Sequence, residues 1–162
     1  MITVTGQARS KRIPIYRLKL VRERTARFSS ATIDTPKAAA LFLCDLIGDR
    51  DREYFVALFL NAEALVIGAH VVAIGSLSGA RLTPREVFKA GIHANAFSMV
   101  LGHNHPSGNV TPSPEDIRTT RHLMEAAVVL GIPIVDHVVV STGGRFSSMH
   151  DLGLMESAGA PA

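Results

Sequence analysis

The chain has 162 residues, of which 47% are hydrophobic and 19% charged; this composition suits one globular domain and excludes a disordered, collagen-like or coiled-coil protein. A single cysteine, Cys44, cannot build a disulfide framework within the chain. Because no run of about 18 apolar residues is present, we expect no membrane span. The N-terminus also lacks the apolar stretch of a signal peptide, so the expected location is the cytoplasm.

The net charge of +3 conceals an uneven distribution, because residues 1–27 carry eight basic side chains and one acid, whereas the rest of the chain carries a net charge of −4. Two interpretations stay open: a basic arm that contacts nucleic acid through residues 9–27, and a solvated strand whose charges protect a sheet edge. The alternation Arg-Leu-Lys-Leu at 17–20 predicts a strand over 12–24 and favours the second. The basic residues are Arg9, Lys11, Arg12, Arg17, Lys19, Arg22, Arg24 and Arg27.

Beyond residue 30, apolar periodicity and the positions of Pro and Gly predict alternating helices and strands. Because two hairpins indicate antiparallel pairs, we expect the α/β class, a mixed β-sheet flanked by helices, rather than a doubly wound parallel sheet. We divide the chain into a basic extension with a first strand (1–30), one domain (31–155) and a frayed tail (156–162). The predicted elements are a helix over 38–47 that ends at Gly48, strands 53–60 and 64–74 joined by a turn at Asn61, a helix from Thr83, a strand over 96–101, a helix from Ser113 to about Gly131, a strand over 132–140 and a last strand around Phe146.

The segment from residue 101 to 116 concentrates side chains that bind metals. His103 and His105 lie two residues apart at a strand end, so their imidazoles point to the same side. A loop rich in Pro and Gly then leads to a helix start, where Asp116 in the first turn can fold back to the same point. Two imidazoles and one carboxylate, with a fourth position open, are the ligand set of a catalytic zinc site, although iron or manganese also accepts such ligands.

A purely structural interpretation of the same residues is also available. Ser113 and Asp116 match a helix capping box. The chain repeats this pattern at Thr83 and Glu86, where no histidine is nearby. The combination of a two-histidine strand end, a turn-rich loop and a carboxylate at a helix start within fourteen residues nevertheless favours a metal site.

An open zinc site lowers the pKa of its bound water to about 7, and a general base elsewhere in the chain must accept the proton. Glu53, at the start of a central strand, is our candidate. Position alone does not decide between it and Glu63 in a turn or Glu86 and Glu115 in first helical turns. We interpret the remaining histidines as packed or surface residues, and a hydrogen bond from the Asp136-His137 pair to the site is the less favoured alternative. These histidines are His70, His93, His122, His137 and His150.

The H-x-H-x7-S-x2-D pattern that starts at His103 resembles the motif of the JAMM metalloproteases, also called the MPN-plus or JAB family. The surrounding segments HNHPSG…PSPED, TPREVFKAG and IPIVDHVVV are similar to the RadC-like branch of that family, and the similarity covers residues 35–152. The resemblance implies a fold related to the cytidine deaminases and a zinc hydrolase that cleaves peptide or isopeptide bonds in a protein or peptide substrate.

The resemblance also implies roles for particular residues. His103, His105 and Asp116 match the zinc ligands of the family. Glu53 matches the general base, and Ser113 matches the serine that stabilises the oxyanion. On this basis one Zn²⁺ is expected per chain.

Longer RadC-like proteins carry a helical DNA-binding-type segment at the N-terminus that we do not find in this sequence. This difference weakens the carry-over of a DNA role from those proteins. The main alternative function, a DNA-associated module, rests instead on binding through the basic N-terminal residues. A catalytically idle scaffold is disfavoured by the complete ligand set. A metal-dependent nuclease is disfavoured because no second carboxylate cluster for a two-metal site is evident.

Overall fold

The computed structural model describes residues 14–15, 17, 19–23, 25, 32–75 and 82–155. Among these residues the elements follow one another in the order expected from the sequence. They are α1 (Pro36–Leu43), continued by a π-helical turn (Cys44–Gly48), β1 (Tyr54–Leu60), β2 (Val66–Ile74), α2 (Pro84–His93), β3 (Ser98–Asn104), α3 (Pro114–Leu130), β4 (Ile134–Val140), a 3-10 turn (Thr142–Gly144) and β5 (Phe146–Ser148).

The five described strands form one sheet in the order β2-β1-β3-β4-β5. Strands β3 and β4 are parallel, and every other neighbouring pair is antiparallel. The prediction of a mixed sheet flanked by helices is thereby confirmed. Strand β3 extends three residues beyond the predicted 96–101 and ends at Asn104, which brings His103 inside the sheet.

Helices cover both faces of the sheet, so the central strands β1 and β3 are buried on both sides and read as nearly continuous apolar runs. On one face Val56, Leu58 and Val100 pack with α1. On the other face alternate residues of the same strands pack with α2 and α3, and this second cluster includes Phe88 and Leu123. His103 belongs to the second face, because side chains alternate along a strand.

Gly102 lets α1 lie directly against the end of β3. A Cβ atom at this position would stand 2.4 Å from Cδ1 of Leu43, far closer than two carbon atoms can approach. The absent side chain at 102 therefore allows tight packing on the α1 face at the point where the neighbouring His103 faces the other side.

The three helices begin with proline at the first position, as predicted, but their caps differ. The Ser113 hydroxyl and the Asp116 carboxylate form a complete capping box at α3. The box predicted at Thr83 is wrong, because the Thr83 side chain makes no cap hydrogen bond. The Glu86 carboxylate pairs instead with Lys89, which lies three residues further along the helix.

The strand predicted over 12–24 is not found at any described residue of that stretch. The apolar side chains described there are exposed: Ile15 is 98% exposed and Val21 78% exposed. A strand whose apolar side gains no burial has nothing to hold it in register. The predicted tail (156–162) and five of the basic residues lie outside the described part of the chain; those five are Arg9, Lys11, Arg12, Arg24 and Arg27.

No helix in the described ranges is long and apolar enough to cross a membrane.

Candidate metal centre

The three predicted ligands lie together at one end of β3. One nitrogen of His103, one of His105 and one carboxylate oxygen of Asp116 lie within 4.8 Å of one another. The two Nε2 atoms are 3.0 Å apart. Nε2 of His103 is 3.4 Å from Oδ1 of Asp116, and Nε2 of His105 is 3.6 Å from Oδ2. Across the described residues this is the one group of three His, Cys, Asp or Glu side chains with such geometry.

The backbone after β3 explains how the ligands meet. His105 donates its backbone N–H to the carbonyl of Val140 in β4 at 2.9 Å, which prolongs the parallel pairing by one residue. A turn closed by the Gly108 N–H on the His105 carbonyl at 3.0 Å then reverses the chain. The Ser147 hydroxyl donates to the Val110 carbonyl and holds the loop against β5. The loop therefore delivers the start of α3 to the end of β3.

Asp116 serves the helix cap and faces the histidines at the same time. Its Oδ2 accepts from the Ser113 N–H at 2.7 Å, while its Oδ1 lies toward His103. The capping and metal interpretations of this carboxylate are therefore compatible, since the cap fixes the orientation of the group that the ion would use. The Ser113 hydroxyl accepts from the Asp116 N–H at 3.2 Å. Its suggested action on an oxyanion stays a prediction.

The charges of the centre support one another. Burial alone would raise the pKa of the Asp116 carboxyl, but the two histidine rings beside it outweigh burial and hold that pKa far below its ordinary value. The neighbouring Asp116 carboxylate in turn raises the pKa of His105, against the opposing effect of burial. The pair is thus an anion beside a ring that binds protons readily, and a cation would replace those protons.

The ring of His105 is oriented by its other nitrogen. Nδ1 lies 2.6 Å from the Asn109 carbonyl oxygen, which can only accept a hydrogen bond. Nδ1 therefore carries the hydrogen in the neutral ring, and Nε2, which faces Asp116, is the nitrogen that gains a proton or binds a metal ion. This is the arrangement found at most histidine ligands of metals.

The sequence interpretation of His137 as a simply packed residue missed its contact with the centre. Nε2 of this fully buried ring lies 2.8 Å from Nδ1 of His103, and its own Nδ1 lies 2.6 Å from the Thr120 hydroxyl. Burial lowers the pKa of His137 well below its ordinary value. The only sequence signal was its place beside Asp136, and that carboxylate in fact accepts from the His137 backbone N–H and the Ser148 hydroxyl.

Glu53 immediately precedes β1, at the same end of the sheet as the ligands. In the antiparallel pairing of β1 with β3, Phe55 lies opposite His103, so continuing the register places Glu53 level with His105. The negative charge of Glu53 contributes to the raised pKa of His105, which also indicates proximity. Glu53 is thus a half-buried residue at this end of the sheet, and its action as a base stays a prediction.

The side chain of Asn104, between the two histidines, holds the segment that carries Glu53. Its amide oxygen accepts from the Tyr54 N–H at 2.7 Å. Its amide nitrogen donates to the carbonyls of Arg52 and Arg50 at 3.1 and 3.4 Å. No sequence pattern marks Asn104, because nothing in its spacing shows that a buried amide would face the backbone of residues 50–54.

The other acids considered as bases lie elsewhere. Glu63 is in the turn at the opposite end of β1, and Glu86 pairs with Lys89. Glu115 pairs with Arg118 on the exposed side of α3. Of the four acids weighed from the sequence, Glu53 is therefore the one that the fold sets beside the ligands.

The remaining histidines stay outside the centre, as predicted. His122 lies 3.8 Å from Glu125 on the exposed side of α3, and His150 lies 3.6 Å from Asp151. His70 lies within β2, where burial lowers its pKa.

The fold and the centre define a mixed α/β domain with two histidines and an aspartate assembled at a strand end. A family model described as the RadC-like JAB domain matches residues 33–154. The chain belongs to this family, which confirms the resemblance seen in the sequence.

Curated relatives support the same assignment. UPF0758 proteins of Moorella thermoacetica, Desulforamulus reducens and Rubrobacter xylanophilus are 42%, 40% and 43% identical to this chain over 127, 123 and 123 residues. These matches cover 78%, 76% and 76% of this chain and 55%, 54% and 53% of the respective relative. The chain thus spans a little over half the length of these relatives, and their names assign no activity.

Proposed function

We propose that this domain is a metal-dependent hydrolase that cleaves peptide or isopeptide bonds. The observation that carries the proposal is the convergence of His103, His105 and Asp116 at the end of β3, with Glu53 level with them. Membership of the JAB domain family supports the hydrolytic class. The choice of amide bonds rests on the resemblance to the JAMM motif.

The donor set fits a zinc ion. Both histidines turn Nε2 toward Asp116 while their Nδ1 atoms contact other groups. Two neutral nitrogens and one anionic oxygen leave one position of a tetrahedral ion open, as in catalytic zinc sites. When bound there, zinc would polarise a carbonyl oxygen and acidify a water molecule.

The side chains around that position divide the remaining work. Glu53 accepts the proton of the attacking water and passes it to the leaving amine, which is the task of a general acid–base residue. The Ser113 hydroxyl donates to the oxyanion that forms from the carbonyl. The fully buried His103 forms the closed side, whereas His105 is 14% exposed and borders the open side, so the substrate approaches past His105.

Elemental analysis of the purified chain tests the metal site. We expect about one zinc ion per chain and loss of the metal in His103→Ala and in Asp116→Ala. Metal that persists in both variants, or its absence from the wild-type protein, would contradict the ligand assignment.

Turnover tests the proposed base separately. Screens with peptide and isopeptide substrates come first. On any substrate so found, Glu53→Gln should retain zinc and lose at least ~100-fold in turnover, the lower end for general acid–base catalysis. The same substitution at Glu63, in the turn at the far end of β1, is the control that should change neither. A Glu53→Gln variant with nearly normal turnover would remove Glu53 from the mechanism.

A nucleic-acid-binding module is the second candidate, and the exposure of Arg17, Lys19 and Arg22 favours it. Contacts of such residues with phosphate release counterions, so binding would weaken steeply with salt. Duplex DNA binding at two salt concentrations, with and without residues 1–27, distinguishes the candidates. Salt-sensitive binding that requires these residues would support the nucleic-acid-binding function. The absence of such binding would leave the hydrolase as the remaining candidate.

A further inference from the structure

A chain of buried hydrogen bonds starts from the backbone of one candidate ligand and ends at another. The Thr120 hydroxyl in α3 contacts the Asp116 carbonyl oxygen at 2.7 Å and Nδ1 of His137 at 2.6 Å. His137 in β4 contacts His103 in β3 at 2.8 Å. Thr120, His137 and His103 are each 0% exposed.

The direction of every hydrogen bond in this chain follows from its first member. A carbonyl oxygen only accepts, so the single hydroxyl hydrogen of Thr120 goes to Asp116. The Thr120 oxygen must then accept, and Nδ1 of His137 carries the hydrogen that it accepts.

The direction of the hydrogen bond between His137 and His103 follows from the tautomer of His137. In a neutral ring with hydrogen on Nδ1, Nε2 is an acceptor. Nε2 of His137 therefore accepts from Nδ1–H of His103, and the lone pair of His103 is left on Nε2. That atom is the one 3.4 Å from Asp116 and 3.0 Å from Nε2 of His105.

We propose that His137 and Thr120 are positioning residues that hold His103 in the tautomer whose Nε2 can bind a metal ion, an inference that rests on the metal site of the proposed function. Partners of this kind orient a ligand and raise its basicity. The usual partner is a carboxylate or a backbone carbonyl, as Asn109 is for His105. Here the partner is a second histidine, whose own orientation is set by the helix that carries Asp116.

This arrangement joins the ligands through the fold. The chain of hydrogen bonds leads from the Asp116 backbone through α3, β4 and β3 to the ring that faces the Asp116 side chain. A displacement of α3 relative to the sheet would therefore disturb two ligands together, and the site is organised before any ion arrives.

The first test uses the metal-free protein. Nitrogen-15 chemical shifts of labelled histidines distinguish a ring nitrogen that carries hydrogen from one that does not. We expect hydrogen on Nδ1 of both His103 and His137, and its partial transfer to Nε2 of His103 in His137→Leu. Hydrogen on Nε2 of His103 in the wild-type protein would overturn the inference without any reference to metal or activity.

The second test measures zinc affinity by competition with a chelator. Removing a hydrogen-bond partner of a ligand typically costs 10–100-fold in metal affinity, and His137→Leu should weaken binding by about this factor. His137→Gln offers an amide oxygen near the position of Nε2 and should lose less. The matched control is His122→Leu on the exposed side of α3, which should bind zinc like the wild-type protein.

These readouts separate a positioning role from a structural one. If His137 only packs the core, the Leu and Gln variants will lower the melting temperature while zinc affinity stays unchanged, which would overturn the inference. A wild-type protein that binds no zinc would instead overturn the proposed function, and the tautomers in the metal-free protein would still decide the hydrogen-bond directions.

Discussion

Two helices of this domain begin with nearly the same four-residue pattern, yet only one of them contributes to the candidate centre. Helix α2 starts with T-P-R-E at 83–86, and α3 starts with S-P-E-D at 113–116. At α3 the carboxylate returns to the cap and meets two histidines. At α2 the carboxylate turns away from its cap and pairs with Lys89.

The difference shows what a capping pattern alone does not determine. The shorter side chain of Asp116 stays beside its own cap, and that end of α3 is covered by the loop from β3, which leaves the side chain 4% exposed. Glu86 is longer, its side chain is 48% exposed, and a lysine three residues ahead is within reach. Burial and the facing side chains, rather than the local pattern, therefore decide whether the carboxylate serves a site.

The largest expected effect is that of Asp116→Asn compared with Glu86→Gln. An asparagine keeps an oxygen that can accept from the Ser113 N–H, so the cap survives while the anionic ligand is lost. Zinc affinity should fall by more than the ~10–100-fold that follows loss of a ligand's hydrogen-bond partner. Chelator competition on both variants measures this, and Glu86→Gln should match the wild-type protein.

Equal retention of zinc by both variants would contradict the assignment of Asp116 as a ligand. In that case the two helix starts would differ only in their caps, and the ligand set would need another carboxylate. Glu53 would be the next residue to test.

The next largest effect is expected for Asn104→Ala, which tests how the segment that carries Glu53 is held. The substitution removes three hydrogen bonds to the backbone of residues 50–54 and leaves the half-buried Tyr54 N–H without this acceptor. At roughly 1 kcal/mol for each bond, we expect a loss of about 3 kcal/mol in the free energy of unfolding. Turnover should fall as well, because Glu53 lies within this segment.

Asn61→Ala is the matched control for this variant. Asn61 is a half-buried asparagine that accepts from the N–H groups of Glu63 and Leu65 in the hairpin turn. The substitution should lower the free energy of unfolding by about 1 to 2 kcal/mol and leave turnover unchanged. Equal effects of the two variants on turnover would show that Asn104 acts only through stability.

A smaller difference is expected between Ser113→Ala and Thr83→Ala in the metal-free protein. Loss of a serine N-cap that accepts a backbone N–H costs about 1 kcal/mol. The Thr83 side chain makes no such bond. Its substitution should therefore lower the free energy of unfolding by only a few tenths of a kcal/mol. Urea unfolding of both variants gives the two values, and equal losses would contradict the difference between the caps.

Much of the fold followed from local signals in the sequence. Proline at the first helical position fixed the starts of all three described helices, and Gly131 ends α3 with φ at +67°. Apolar runs identified β1 and β2, with the Asn61 turn between them. The strand predicted over 12–24 is not formed at the residues described there, because alternation cannot show whether a core is available to bury its apolar side.

Spacing along the sequence predicted the candidate centre only where its residues are close together, and Glu53 was assigned from the family resemblance. The short spacing from His103 to Asp116 revealed three side chains that the structure does bring together. His137 and Thr120 join the centre through the pairing of β4 with β3 and the packing of α3. Such contacts depend on which strands are neighbours, and no local pattern encodes that.

The smallest expected effect is a pH dependence of the folding stability. It arises from Asp116 in α3 and has no counterpart at Glu86 in α2. The Asp116 carboxylate raises the pKa of His105 in the folded protein. The resulting stability is fully present below the unfolded value of about 6.5 and disappears as the pH rises through the folded value. The pKa of Asp116 is lowered, so this carboxylate stays ionised throughout that range.

Unfolding of the chelator-treated protein at several pH values above 6.5 measures this contribution. His137, whose pKa is lowered, stays neutral in the folded protein, and the proton that its unfolded form still partly binds just above pH 6.5 adds the same slope to all the proteins compared, so their differences report on His105. The wild-type protein and Glu86→Gln should both lose stability as the pH rises, whereas Asp116→Asn should lose less, because its His105 has no anion to hold the proton. Zinc affinity should change in the opposite direction, rising with pH as the proton leaves His105. Parallel stability curves for all three proteins would show that Asp116 does not control the protonation of His105.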